Sequence, residues 1–239
     1  MTTGTVTAIA RYPVKSMRGE QLERARLGFH GIPLDRAFAF VQDGVVSPFP
    51  WFTGRECPQL LQCTPAVIAG AAEWPSGPWP RVEVTVPGGS VLPLESPELA
   101  GLLASWSGRQ VRLHVDYRGS QDVAYVSLIS TATIRAVAQA AGVPAVHRRF
   151  RMNLVVDIGD EPFAELAWVG SQVRVGGTTL AVHEPDRRCQ MITLDPETGE
   201  PNPAVLKQLG RLSREVCAGV YCSVLVPGEV RVGDSVSPV

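Results

Sequence analysis

Hydrophobic and polar positions alternate with a period of two along much of the chain, which predicts strands rather than helices. Residues 81–86, Arg-Val-Glu-Val-Thr-Val, alternate strictly and put Val82, Val84 and Val86 on one face of a half-buried strand. Residues 5–10, 37–41, 111–115, 126–129, 173–175 and 179–182 predict further strands. They are bounded by turn signals such as Gln42-Asp43-Gly44, Pro87-Gly88-Gly89-Ser90 and Gly176-Gly177. A long β-favouring run covers residues 216–226, and the turn Pro227-Gly228-Glu229 leads into a last one at 230–234. Cys189 to Leu194 alternates again and predicts a strand leaving a loop. Arg149, Arg151 and Asn153 fall on one face of another expected strand. Helical signals are few. Ser96-Pro97-Glu98 opens a short helix that ends near Gly108, Ser130 caps one over 131–141 stopped by Gly142, and Asn202-Pro203 starts one through about Leu209. Many strands, three short helices and no strict β-α-β alternation predict an α+β protein, mainly β, built on a β-barrel. Residues 75–80 are Pro-rich and irregular but too short for a linker. A soft boundary near 108–121 divides a β-rich N-terminal domain, 1–110, from a barrel domain, 111–239.

Composition narrows the class. With 239 residues and 45% hydrophobic content the chain suits one large domain or two small ones with a sizeable core. Twenty-two basic against twenty-three acidic residues leave a net charge of -1, so no global field draws the protein to nucleic acid or anionic lipid. Neither partner is expected, and any basic site must be local. No run approaches the roughly eighteen apolar residues of a membrane span, and the N-terminus lacks a secretory pattern, so the expected location is the cytoplasm. Five cysteines without a Cys-x-x-Cys pair argue against a disulfide framework and a zinc ribbon. Four scattered histidines without a His-x-x-x-His pair argue against a histidine-built zinc site.

Local chemistry concentrates around Cys189. It follows Arg187 and Arg188, whose positive field favours the thiolate, the form that binds soft metals. An inert core thiol is the alternative, but flanking guanidiniums resist burial. We therefore expect Cys189 to be a metal ligand, followed by a turn at Asp195-Pro196 with Gly199 free to turn left-handed. Lys15 and Ser16 sit in a loop after the first strand, either an anion-binding loop or a solvated turn. Arg36 either pairs with Asp35 or reaches into a cleft, and residues 51–55 suit a pocket-lining loop. Ser130 stands where a strand runs into a helix, whose free N–H groups suit a phosphate. Residues 147–157 form the most basic stretch, either a charged edge or a polar site. A cysteine hydrolase with His183 as base is a further reading, although no third orienting group is evident.

In order, Tyr12-Pro-Val-Lys-Ser16, Asp35-Arg36, Arg149-Phe-Arg-Met-Asn153, Arg188-Cys189, Asp195-Pro-Glu-Thr-Gly199 and Val232-Gly-Asp234 resemble the landmarks of MOSC-domain proteins. That family includes the mitochondrial amidoxime-reducing components and the C-terminal domain of molybdenum-cofactor sulfurases. The resemblance covers nearly the whole chain. It implies a MOSC N-terminal β-rich domain and a MOSC β-barrel domain with a pyranopterin molybdenum cofactor (Mo-molybdopterin) between them. Cys189 would ligate molybdenum, and Lys15, Ser16, Arg36, Ser130, Arg149, Asn153 and Arg188 would contact the cofactor. The implied activity is reduction of N-hydroxylated small-molecule substrates, amidoximes and hydroxylamines. The sequence carries no iron-sulfur cysteine cluster and no mitochondrial-type anchor, so an external electron donor of ferredoxin, flavin reductase or cytochrome type is expected. Arg187 stands where the reducing components have a small polar residue, which makes the pocket more positive. The alternative function is a sulfur-carrier or cofactor-delivery module with Cys189 as its persulfide site.

Overall fold

The computed structural model of the protein describes residues 3–69 and 79–239, so the Pro-rich stretch expected at 75–80 lies, but for its last two residues, outside them. The first strands in chain order are β1 (Gly4–Arg11), β2 (Glu20–Leu22), β3 (Arg24–Leu27), β4 (Phe38–Gln42), β5 (Trp51–Phe52), β6 (Thr64–Ala69), β7 (Arg81–Thr85) and β8 (Val91–Pro93). After them come β9 (Val111–Val115), β10 (Val126–Ser130), β11 (Leu154–Asp157), β12 (Gln172–Val175), β13 (Thr178–Arg187), β14 (Cys217–Val226), β15 (Gly228–Arg231) and β16 (Ser235–Pro238). The helices are α1 (Pro97–Ser107), α2 (Thr131–Ala141) and α3 (Ala204–Leu212). The fold is α+β and mainly β.

Seven strands close a barrel in the order β11-β10-β14-β13-β12-β16-β1, with β1 pairing back onto β11 and β2 added at the outer end of β1. Within that barrel only β10 and β11 run parallel. A parallel pair needs a crossover, and α2 supplies it. Its start is capped by Ser130, whose Oγ accepts from the Thr133 N–H, and it ends at Gly142 in the left-handed conformation. The barrel interior is filled by Val6, Leu128, Leu154, Val173, Leu180, Val220 and their neighbours. A second core, around Phe40, Phe52, Leu60, Val84, Leu99 and Leu103, belongs to the N-terminal half. There β4 pairs with β5 and β9, and β6, β7 and β8 form a separate three-stranded sheet. Each half uses a strand from across the chain: β1 lies in the barrel, whereas β9 joins the N-terminal sheet. No helix among the described residues is long and apolar enough to cross a membrane.

Two expected strands are absent. Cys189 to Leu194 forms a 3-10 turn over Gln190–Thr193, because β13 loses its neighbour there. The register ends at Arg187 opposite Cys217, the first residue of β14, and a strand without a partner has no ladder to join. The basic stretch likewise forms a 3-10 turn, His147–Arg149, and β11 starts only at Leu154. Those residues are the return leg of the α2 crossover, so Arg149, Arg151 and Asn153 do not share a strand face.

Candidate functional site

A cleft of about 330 Å³ opens between the two halves. From the N-terminal half Lys15, Ser16, Arg36, Thr53 and Arg55 line it; from the barrel half come Ser127, Arg151 and the end of β13 through Cys189. Its charged lining comprises six cationic side chains, Lys15, Arg36, Arg55, Arg151, Arg187 and Arg188, against the carboxylates of Asp122, Glu184 and Asp186. A ligand with excess negative charge fits such a lining.

Three of the cations, Lys15, Arg36 and Arg188, are held by a carboxylate and a backbone carbonyl each. Lys15 is 8% exposed and donates from Nζ to the Ser120 carbonyl and to Asp122 Oδ1, both at 2.6 Å. Burial pushes its ammonium below the ordinary range, and Asp122 works the other way. Arg36 is ion-paired with buried Asp35, donates to the Arg151 carbonyl at 2.7 Å and lies 4.7 Å over the Tyr12 ring. Arg188 is ion-paired with Asp186 and donates to the Phe150 carbonyl at 2.5 Å. Its Nε is buried without a partner. Burial raises the Asp186 carboxyl, against the pull of Arg188 and of a hydrogen bond with Tyr221. Arg187 lines the cleft from an exposed position.

Three cleft residues that are not glycine, Ser16, Arg36 and Arg151, have left-handed backbones, with φ of +68°, +53° and +56°. Each such conformation costs roughly 1 kcal/mol or more and persists where the surroundings enforce it, often at functional sites. Cys189 is exposed and free at the cleft wall, with a 3-10 turn immediately after it. Behind that turn, Arg149 is 4% exposed and donates to the carbonyls of Ile192 at 3.3 Å and Leu194 at 2.9 Å, and to Asp195 Oδ2 at 3.0 Å. Asp195 in turn accepts the N–H groups of Glu197 and Thr198. At Gly199, φ +74°, an added Cβ would stand 2.9 Å from the Pro58 carbonyl, so the turn after Cys189 seats closely on the N-terminal half.

Lys15, Ser16, Arg36, Arg188 and Cys189 are thus brought together. Arg149 is not in the cleft: it holds the Cys189 segment from behind. Asn153, 1% exposed, also stands back, its Oδ1 accepting from the Ser127 N–H and Oγ while its Nδ2 donates to Ala10. Ser130 is fully buried, its hydroxyl spent on Thr133, and the expected phosphate seat at the start of α2 meets the buried carboxylate of Glu165 through Thr133 Oγ1. His183 lies outside the cleft lining and shares a 2.6 Å hydrogen bond with Ser223, which removes the Cys-His hydrolase arrangement. Thr53 and Arg55 line the cleft from the loop expected at 51–55, whereas Arg151, Ser127 and Tyr221 line it and were not singled out as its contacts from the sequence. For Arg151 the signal was present in the Arg-Phe-Arg-Met-Asn motif, one arginine further on.

His147, beside this region, gives a pH test. Burial, and then the Arg148 charge, lowers its imidazole from the ordinary 6.5. Above that value both folded and unfolded states are neutral; below it the unfolded chain binds the proton more readily, so stability falls. His147→Gln should therefore flatten part of the stability loss between about pH 6.5 and pH 5, measured by denaturant titration at both ends. Parallel slopes in mutant and wild type would contradict it.

Two β-rich halves, one a closed seven-stranded barrel, that present a single exposed thiol in a cationic cleft between them define a class of two-part barrel proteins. The chain belongs to the MOSC family: the MOSC domain model matches residues 116–237, and the MOSC N-terminal beta barrel domain model matches residues 3–95. The crystal structure of the YuaD protein from Bacillus subtilis has the same fold, with a TM-score of 0.51 at 15% identity over 98% of this chain and 94% of that one. Sequence similarity runs to molybdenum cofactor sulfurases. The Drosophila mojavensis protein is 33% identical over 99 residues, which is 41% of this chain and 12% of the relative. The Bos taurus protein is 38% identical over 74 residues, 30% of this chain and 8% of the relative. The chain therefore matches only a small part of the length of these curated relatives.

Proposed function

We propose that the cleft holds a pyranopterin molybdenum cofactor with Cys189 as the protein ligand, and that the protein reduces N-hydroxylated small molecules. The observation that carries this reading is one exposed thiol set in the wall of a cleft lined by six cationic side chains against three carboxylates. The donor set fits such a group. Among the described residues no cluster of three or more His, Cys, Asp or Glu stands ready to hold a bare metal ion. A single thiolate instead suits a metal whose other positions are filled by a chelating cofactor. The buried, unpartnered Nε of Arg188 supports an additional acceptor nearby. Kinship with molybdenum cofactor sulfurases supports the choice of metal.

In this reading Lys15, Ser16, Arg36, Arg151 and Arg188 bind the anionic, hydrogen-bonding part of the cofactor, while Asn153, Arg149 and Ser130 support the segments that carry them. When bound, the cofactor supplies a two-electron reduction that, with two protons, turns N–OH into N–H and water. Phe49, Val123 and Met191 give the cleft an apolar side against which substrate packs. Asp186, its carboxyl raised by burial and hydrogen-bonded with Tyr221, stands inside the cleft as the partner that orients Arg188. The electrons come from a separate donor protein of ferredoxin, flavin reductase or cytochrome type. Wild-type protein from a cofactor-competent host should retain near-stoichiometric molybdenum by elemental analysis and reduce an aromatic amidoxime with an artificial electron donor. Absence of metal under those conditions would sink the reading.

The exposed position of Cys189 also supports a second reading, a sulfur-carrier or cofactor-delivery module that bears a persulfide there. Protein that lacks metal but carries one added sulfur on Cys189 by mass spectrometry would favour it.

A further inference from the structure

The cleft cations assigned to the cofactor are tied down by partners of their own. Lys15 pairs with Asp122, Arg36 with Asp35 and Arg188 with Asp186, and Arg151 lies 4.5 Å over the Tyr12 ring and donates to the Met17 carbonyl. Arg55, from the N-terminal half, and Arg187, at the end of β13, differ: both are exposed, and neither has an ion pair among the described residues. Of the three carboxylates in the lining, Asp122 and Asp186 are taken, and Glu184 pairs with neither arginine. Two guanidiniums at the mouth thus face one carboxylate. Thr53, 3% exposed, accepts from Arg55 Nε at 3.2 Å, and the Phe49 ring, 38% exposed, lies 4.8 Å from the Arg55 guanidinium carbon. The terminal nitrogens of Arg55 are left for a bidentate contact. Arg187 stands two residues before Cys189, which keeps an extended backbone at φ −110° and ψ −173°. Alternation along an extended chain turns the two side chains to the same side, with Cα atoms roughly 7 Å apart. Both are exposed, whereas Asp186 is buried. An anion held by Arg187 therefore sits beside the thiol.

We propose that Arg55 and Arg187 form a carboxylate-binding subsite at the cleft mouth, which takes small planar molecules that carry a carboxylate and holds their apolar part against Phe49. Exposed ion pairs are individually weak, so selectivity comes from two guanidiniums and a ring acting together. Calling that molecule the substrate rests on the proposed function; the binding itself does not need the cofactor.

Alkylation of Cys189 by the neutral reagent iodoacetamide, followed by mass spectrometry on the full chain without cofactor, reads occupancy of the subsite, since the other four cysteines are buried. Benzoate should protect Cys189 saturably, and benzamide, of nearly the same shape, at least about threefold more weakly. Arg187→Gln and Arg55→Gln should each weaken benzoate protection by about threefold or more. Protection constants are compared rather than rates, because losing Arg187 also changes the thiolate fraction. Equal protection by benzoate and benzamide, or benzoate protection unchanged in both variants, would overturn the proposal. A glutamine variant that fails to fold is replaced by Arg187→Lys or Arg55→Lys, which keeps the charge but loses the bidentate fork. On cofactor-loaded protein, KM for para-carboxybenzamidoxime should lie at least about threefold below that for para-carbamoylbenzamidoxime at similar kcat. Reduction of both with equal KM would overturn the subsite and leave the proposed function standing. Reduction of neither, with benzoate protection intact, would remove the proposed function and leave the subsite standing.

Discussion

Alanine in place of Cys189 is expected, on the proposed reductase reading, to bring molybdenum content and amidoxime reduction down to background while leaving the fold intact. The first part follows from the proposed cofactor site: there one thiolate would be the protein's bond to the metal, and its removal would leave only hydrogen bonds and ion pairs to retain the cofactor. The second follows from position. Cys189 is exposed at the cleft wall, and exposed substitutions away from caps and cores usually stay within about 0.5 kcal/mol. Melting curves of wild type and Cys189→Ala should therefore nearly coincide while elemental analysis separates them completely. Cys189→Ser sharpens the comparison, because a hydroxyl of the same shape is a harder, far less acidic donor and should also fail to hold the metal. Molybdenum retained by the alanine variant at wild-type level would refute the ligand role.

Asp35→Ala is expected to destabilise the protein by about 3–5 kcal/mol, a drop of roughly 10 °C in melting temperature. Asp35 is 3% exposed, its Oδ1 accepts the Tyr12 N–H at 2.8 Å, and its Oδ2 pairs with the Arg36 guanidinium. Alanine removes both acceptors and leaves a mostly buried guanidinium without its counter-charge, which costs far more than the pair itself contributes. It also frees the junction between the Tyr12–Ser16 loop and β4, where Arg36 N–H meets the Tyr12 carbonyl at 2.7 Å. Asp35→Asn keeps an acceptor for the Tyr12 N–H and should lose distinctly less. By contrast, breaking the exposed Arg231–Glu229 pair should change stability by under about 1 kcal/mol. Thermal and denaturant melts rank the three, and an Asp35→Ala protein as stable as wild type would show that the buried pair does not hold this junction.

What could be read from the chain directly was local. The alternation of 81–86, the Gly176-Gly177 hairpin and the caps at Ser96 and Ser130 all appear where expected, because turn geometry and capping are decided within a few residues. The cleft residues Lys15, Ser16, Arg36, Arg188 and Cys189 were legible as three charges, a loop hydroxyl and a thiol set among arginines. Their shared location was not.

By itself the sequence determined a mainly β chain with three helices, the family landmarks in their order and the exposed chemistry of Cys189. Only the tertiary structure decided that a 3-10 turn over residues 190–193 replaces the strand expected at 189–194, since a strand exists only where a neighbour offers its hydrogen bonds and β14 begins too late to do so. It decided too that Arg151 faces the cleft while Arg149 turns away to hold the carbonyls behind Cys189. Side-chain direction there is set by the α2 crossover and by a left-handed backbone at Arg151, conformations imposed by distant packing rather than by neighbours in sequence.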